Sequence, residues 1–303
     1  MNKIDISKGR YWDLPWGLVS SCTRCSEGCR SCWALAMEKR FNKGIEGKIE
    51  IHPERLKVPL KRKKPAVYAI WNDLGHPDVT LGFRIKVHHV IRDCKQHIFL
   101  ILTKRPVEIL CFIEEYTQYG KATPDNIWYG LTVCNQQEAD EKIPIFLQVS
   151  GKKFLSLEPL LGQVDIKRAL GCLTVKCELP GDCRFPLCDC RKPAYIGNRI
   201  DAVILGGETG PGARPMHPEW VRAVRDQCEQ AGVPFFFKSW GEWTSDDGWY
   251  LKPSGIGKKS DIVDSAPGDY SCSKSVGKIG KKAAGRILDG RTHDDLPWMK
   301  EAV

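Results

Sequence analysis

Four cysteines fall within eleven positions of "CTRCSEGCRSC": Cys22, Cys25, Cys29 and Cys32. Two spacings overlap there. Cys25, Cys29 and Cys32 read C-x3-C-x2-C, and Cys22, Cys29 and Cys32 read C-x6-C-x2-C. Three cysteines on a short loop can hold three irons of a [4Fe–4S] cluster and leave the fourth iron open for a ligand. The competitor is a structural zinc site, Cys22-x2-Cys25 with Cys29-x2-Cys32, because four thiolates suit tetrahedral zinc. The two pairs stand only three residues apart, tight for a zinc ribbon, which favours the cluster.

A second cysteine group, Cys172, Cys177, Cys183, Cys188 and Cys190, lies in a Pro/Gly-containing insertion at 172–195. Its loose spacing predicts a zinc-stabilised loop through Cys177, Cys183, Cys188 and Cys190, with an auxiliary iron–sulfur cluster as the alternative. Cys94, Cys111, Cys134 and Cys228 sit in helix or strand patterns and read as ordinary buried cysteines.

The chain has 14 cysteines in 303 residues, no apolar leader and no run of about eighteen apolar residues. Metal or redox chemistry in a reducing cytoplasm explains such a composition better than disulfides, and no membrane partner is expected. The net charge is +9, from 46 basic and 37 acidic residues. Basic runs at 55–65 ("RLKVPLKRKKP") and 277–286 ("GKIGKKAAGR") permit a nucleic-acid or nucleotide partner.

Near-continuous apolar runs recur at 66–73, 97–106, 126–135, 152–162, 201–210 and 233–243, after "WGLVSSC" (16–22), which reads as a first strand. Runs of this kind are strands buried on both faces of a parallel sheet. Helical periodicity fills 31–44, 80–94, 106–120, 135–148 and 217–232, the last bracketed by Pro218 and Gly232. Strand followed by helix, about seven times over, predicts an α/β fold. The expectation is a partial (β/α) TIM-like barrel over 1–243 that carries the Cys-rich insertion, followed by a loop-rich basic extension over 244–303. A flat doubly wound sheet is the alternative.

In such folds the site lies at the carboxyl ends of the strands. Those ends carry Asn72, Asp73 and His76; Thr103, Lys104 and Arg105; Thr132 and Asn135; Ser156 and Glu158; Gly206, Gly207 and Glu208; and Lys238, Trp240 and Glu242. Asp73, Lys104, Glu158 and Lys238 are the candidate catalytic residues. Lys104 and Arg105 precede a helix start and make an anion site, and Arg214 could meet a carboxylate or phosphate bidentately.

With these motifs assembled, the chain resembles the phage and prophage three-cysteine-motif proteins, a radical-SAM-like family. The resemblance rests on "GLVSSCTRCSEGCRSCWALAMEKR", "LTKRPVEIL", "NIWYGLTV", "FLSLEPLLGQVD", "KKAAGRILDGRTHDDLP" and the long block from "VILGGETGPGARPMHPEW" to "FFFKSWGEW". It implies a partial barrel of the radical-SAM type, distantly similar to spore photoproduct lyase. It also implies a [4Fe–4S] cluster that chelates S-adenosylmethionine, whose reductive cleavage gives a deoxyadenosyl radical, and therefore an electron donor as partner. The family spacing matches Cys22, Cys29 and Cys32, whereas Cys25 restores the commoner radical-SAM spacing, so either Cys22 or Cys25 could be the first ligand. Trp33 keeps an aromatic beside the cluster. Gly206, Gly207 and Glu208 resemble the glycine-rich strand end that meets the methionyl amino group, although here they follow a late strand. Trp71, Asn72 and Gly75 depart from the family pattern at a strand end, while Asp73, Leu74 and His76 match it.

The leading expectation is a radical S-adenosylmethionine enzyme in the cytoplasm, of a host bacterium if phage-encoded, that modifies or repairs a nucleic-acid base or nucleotide. A non-catalytic zinc- or cluster-containing nucleic-acid-binding protein is the alternative. A metal-dependent hydrolase is weaker, because the seven histidines form no motif.

Overall fold

The computed structural model describes residues 4–41, 45–118, 120, 122–171, 199–245, 259–263 and 274–301. The insertion at 172–195 lies outside the described residues, and with it Cys177, Cys183, Cys188 and Cys190 and the zinc site expected of them.

Seven strands make one parallel sheet and lie in the order in which the chain visits them. They are β1 (Leu14–Trp16), β2 (Val67–Ile70), β3 (Ile98–Thr103), β4 (Ile127–Thr132), β5 (Lys152–Leu157), β6 (Ala202–Gly206) and β7 (Phe235–Ser239). The sheet curls into a half-barrel. Strand order never reverses, so no topological switch point exists and the doubly wound alternative is set aside. Helices α1 (Trp33–Phe41), α2 (Leu81–Asp93), α3 (Pro106–Gln118), α4 (Gln136–Phe146) and α5 (Pro218–Ala231) accompany the strands. Among the described residues no helix is long and apolar enough to cross a membrane.

The helices begin where their caps dictate. Thr80 accepts from the Phe83 amide, Asn135 from the Glu138 amide and His217 from the Glu219 amide, each satisfying a first-turn N–H. Gly232 closes α5 in the left-handed region, φ 62°. The apolar runs are continuous because alternate residues serve two cores. Tyr129, Leu155, Val203 and Phe237 join Val87, Phe112 and Val221 of the helices. Trp128, Phe154, Ile204 and Phe236 point to the concave side.

That concave core is closed by residues far away in sequence. Ile4 and Tyr11 enter from the amino-terminal segment, and Leu296 and Trp298 from the carboxyl-terminal one. Trp298 is fully buried, stacks edge-on against Trp128 and Phe154, and donates its indole N–H to the Tyr11 carbonyl at 2.9 Å. The end of the chain is thus built into the half-barrel.

Two expectations change. The first sheet strand is Leu14–Trp16, not 16–22; Val19–Ser20 pairs instead with Glu50–Ile51 in a separate antiparallel ribbon. The reason is local: Asp13 accepts from the Val67 amide and donates its own amide to the Val67 carbonyl, fixing β1 early, and the chain then turns after Trp16. Part of the loop-rich extension also forms strands. Trp243–Ser245, Lys259–Val263 and Lys274–Lys278 make a small antiparallel sheet from Ser-, Lys- and Gly-containing segments that carry little β signal.

Candidate functional site

The four cysteines occupy one loop between β1 and α1, laid over the carboxyl end of the half-barrel. Three charged anchors hold it there. The first comes from β2 and β3. Asp73, buried at the end of β2, accepts from Thr103 Oγ1 at 2.7 Å, the Gly75 amide at 2.9 Å and Arg105 Nη1 at 2.6 Å. Arg105 then donates through Nη2 to the Thr23 carbonyl and hydroxyl, at 2.7 and 2.8 Å, and lies 3.6 Å from Cys22 Sγ. His76 Nε2 meets the same Thr23 hydroxyl at 2.8 Å.

The second anchor is Glu208. Its two oxygens are taken by Arg214, through Nε at 2.9 Å and Nη2 at 2.8 Å, with the Arg214 amide adding a third bond at 2.8 Å. Burial raises the Glu208 pKa, but the Arg214 hydrogen bonds outweigh it and hold the carboxyl below its ordinary value. Arg214 reaches on to the loop, where Glu27 Oε1 lies 3.0 Å from Nη1 and the Glu27 carbonyl 3.1 Å from Nη2. The third anchor is Glu138 of α4, which accepts from Ser26 Oγ at 2.7 Å and from the Cys134 amide at 3.2 Å, beside Lys142.

Gly207 packs against the neighbouring strand end. A Cβ there would stand 2.1 Å from the Trp240 carbonyl oxygen, so this glycine serves the close approach of the β6 and β7 ends. Gly206 leaves room for Glu158, whose Oε1 would lie 3.1 Å from an added Cβ.

Below the loop, the concave side holds a second polar group. Glu158 Oε1 pairs with Lys238 Nζ at 2.7 Å, and Oε2 accepts from Ser156 Oγ at 3.0 Å and Tyr11 OH at 3.3 Å. Lys238 also lies over the Tyr11 ring, 5.5 Å from its centroid. Lys281 approaches from the carboxyl-terminal segment; burial and the nearby Lys238 charge lower its pKa. Lys104 is half-buried and has no hydrogen-bond partner among the described residues. Burial pulls its pKa down, yet the charges of Cys134, Cys29, Cys32 and Asp73 more than compensate, so the ammonium is held on.

The thiols are electrically unequal. Burial pushes Cys22 up, with Arg105 opposing. Interaction with the neighbouring Cys29 raises Cys25, and the same interaction, helped by Lys104, brings Cys29 down to about 5. Cys134 was read as an ordinary core residue, yet it belongs here: it lies beneath the loop, its sulfur 2.3 Å from where a Gly28 Cβ would be, and burial pushes it up to about 11. The signal was its place two residues past β4, at a strand end like the others. Cys94 and Cys228 are buried as expected, whereas Cys111 is exposed.

The donor set suits a thiolate-held iron–sulfur cluster in kind. Soft sulfurs share one clamped loop, one thiol is poised to ionise, and Lys104 and Arg105 stand ready to balance negative charge. Among the described residues, however, no three Cys, His, Asp or Glu side chains are arranged to hold a metal ion, so the sulfurs share a loop without converging. Trp33, next to Cys32, is half-exposed and packs edge-on against Trp71.

The structure therefore unites Cys22, Cys25, Cys29, Cys32, Asp73, Lys104, Glu208 and Arg214 around the loop, and Glu158 with Lys238 beneath it. Asp73, Glu208 and Arg214 are already fully engaged in holding the loop. Sequence reasoning passed over Glu27, which completes the second anchor, and Ser26 and Glu138, which make the third. No curated protein and no solved structure matches the chain. Residues 7–297 match the family described as Protein of unknown function (DUF5131), and since that match spans nearly the whole chain, the protein belongs to this family.

Proposed function

We propose that this protein is a radical S-adenosylmethionine enzyme acting on a nucleic-acid base or nucleotide in the cytoplasm, served by an electron donor. One observation carries the reading: four cysteines on a single loop, clamped by Asp73–Arg105, Glu208–Arg214 and Glu138 over the carboxyl end of a parallel half-barrel, with the Lys104 ammonium in electrostatic reach of Cys29 and Cys32. Cys29 and Cys32 would hold a [4Fe–4S] cluster together with Cys25 or Cys22. Cys22 is engaged by Arg105, which favours Cys25. When bound, such a cluster supplies one electron to the sulfonium of S-adenosylmethionine.

The chain's own residues do the rest. Arg105 and Arg214 fix the loop, and Glu138 ties its middle to α4. Lys104 offsets thiolate charge from below. Glu158, oriented by Ser156 and Tyr11, holds Lys238 as an ammonium donor on the concave side, where it can orient an anionic or carbonyl-bearing substrate. The aromatic floor keeps that space dry from beneath.

Anaerobic reconstitution with iron and sulfide, then reduction with S-adenosylmethionine, tests the reading. The expected result is about four irons per chain, an EPR signal perturbed by S-adenosylmethionine, and deoxyadenosine release that Cys29→Ala and Cys32→Ala abolish. Between Cys22→Ala and Cys25→Ala, the variant that loses the cluster names the remaining ligand. Tight zinc with neither cluster nor deoxyadenosine would replace the reading with that of a zinc-bearing nucleic-acid-binding protein.

A further inference from the structure

Beside the cysteine loop runs a row of three tryptophans, of which Trp12 also packs against the concave core. Trp12, Trp71 and Trp33 meet edge to face, with centroids 6.1 Å and 5.4 Å apart. They come from three places: the segment before β1, the end of β2, and the first turn of α1 directly after Cys32. Trp33 is 51% exposed and the other two are partly exposed.

Four buried tryptophans satisfy their indole N–H, whereas among the described residues those of Trp128 and Trp220 have no hydrogen-bond partner. Trp16, Trp240, Trp243 and Trp298 are buried and each donates its indole N–H to a backbone carbonyl at 2.8 to 2.9 Å. Among the described residues the indole N–H groups of Trp12, Trp33 and Trp71 have no partner. With Trp33 exposed and Trp12 and Trp71 partly so, the three adjacent rings make a platform for another flat ring. The platform is cationic. The Arg10 guanidinium lies over Trp12, 5.0 Å from the centroid, and neither Arg10 nor the exposed Arg30 of the cysteine loop makes a salt bridge among the described residues. Aromatic faces with Arg10 over one of them and the exposed Arg30 three residues before Trp33, on a chain of net charge +9, are complementary to stacked bases joined by phosphates.

We infer that Trp33 and Trp71 stack the unpaired bases of a single-stranded nucleic acid while Arg10 and Arg30 meet its phosphates, which presents one base to the space under the cysteine loop. This deepens the reading given under Proposed function and rests on it for the chemistry; the binding rests on the tryptophans alone. A duplex cannot use the platform, since its base faces are already stacked. A free mononucleotide gains one stack and few phosphate contacts.

The test is fluorescence anisotropy of the full chain with a labelled single strand of about a dozen nucleotides, within the span such surfaces cover, at low and moderate salt. Stacking worth about 1–3 kcal/mol per base predicts that Trp33→Ala weakens binding by roughly 5- to 150-fold. Trp71→Ala should act in the same direction, and Trp33→Phe should keep most of the affinity. The same sequence as a duplex, and a mononucleotide competitor, should each bind at least about tenfold more weakly. Because Trp33 is exposed, the Trp33→Ala chain should melt as the wild type does, which separates lost stacking from lost folding. Equal affinity for duplex and single strand, or affinity indifferent to Trp33→Ala, would overturn the inference in favour of a diffuse basic surface or no nucleic-acid role. The assay needs neither cluster nor S-adenosylmethionine. Strand binding that depends on Trp33 without deoxyadenosine release would sink the radical reading and leave the platform; release without strand binding would do the reverse.

Discussion

The two ends of the half-barrel interior are held shut by different physics. The floor is aromatic: Trp298, Trp128, Phe154 and Phe236 fill it, and chain ends 287 residues apart meet there through the Trp298–Tyr11 hydrogen bond. The roof is ionic. Asp73–Arg105, Glu208–Arg214 and Glu138–Ser26 each connect a strand or helix end to one backbone stretch of the cysteine loop. Apolar packing is strong but has little direction, whereas charged hydrogen bonds fix position at a desolvation cost that cancels much of their net stabilisation. The floor therefore carries stability and the roof carries geometry. Placing costly buried charges around a thiol loop makes sense if the sulfurs must stand in one arrangement.

If that contrast is right, damage to the floor should unfold the protein and damage to the roof should loosen one loop. Trp298→Ala removes one of the two tryptophans that fill the floor and should cost about 3–5 kcal/mol, read as a lower denaturant midpoint. Below that midpoint, the alkylation rate of Cys29 should stay native. Arg214→Ala strips the partner from the buried Glu208 and cuts the tether to Glu27. It should destabilise by about 3 kcal/mol, but its distinguishing mark is local: Cys29 and Cys32 become readily alkylated well below the unfolding midpoint. Arg214→Lys should recover little, since one ammonium cannot span Glu208 and Glu27. The clamp also predicts a pH trend. The Glu208 pKa is depressed in the fold, so the clamp's contribution is complete above the ordinary glutamate value and is lost as pH falls through the lower folded one. Amide hydrogen exchange in the cysteine loop, corrected for its intrinsic pH dependence, should accelerate on that acid side in the wild type and lose most of this pH step in Arg214→Ala. A floor variant that opens the loop first would break the division.

The elements themselves were legible because their signals are local. Six of seven sheet strands appear as apolar runs, and α2 to α5 follow three- and four-residue spacing, with side-chain caps in place on α2, α4 and α5. The rule that sites lie at strand ends also singles out Asp73, Lys104, Glu158, Glu208 and Lys238, which the fold gathers at one end of the sheet. Their roles were less legible. Glu208 invites the reading of a carboxylate awaiting a ligand's ammonium until Arg214, six residues on, is seen to occupy both oxygens; Arg214 in turn reaches Glu27 across 187 positions, a pairing with no local signature. Trp298 looked like part of a basic tail for the same reason. Its partners are assembled only by the closed half-barrel. The first strand was displaced because "WGLVSSC" is apolar enough for a strand but is outcompeted by the backbone pairing that Asp13 makes with Val67.

Gly28 sharpens the comparison most finely, because it touches roof and interior at once. It sits midway between Cys25 and Cys32, where the loop passes directly over Cys134. Added there, a Cβ would fall 2.3 Å from the Cys134 sulfur and 3.2 Å from Pro159 Cδ. The sulfur is on a short side chain in a fully buried strand end and has little room to retreat. Gly28→Ala should therefore lift the loop and cost about 1–2 kcal/mol, the smallest effect of the series, with Cys29 alkylation rising more than stability falls. The contact is with one atom, so Cys134→Ala should relieve it. In a double-mutant cycle the paired change should be less damaging than the sum of the single changes by about 1 kcal/mol. Strict additivity would mean that Gly28 is required by the turn's backbone and not by Cys134. The height of the cysteine loop above the barrel would then be set by the ionic anchors alone.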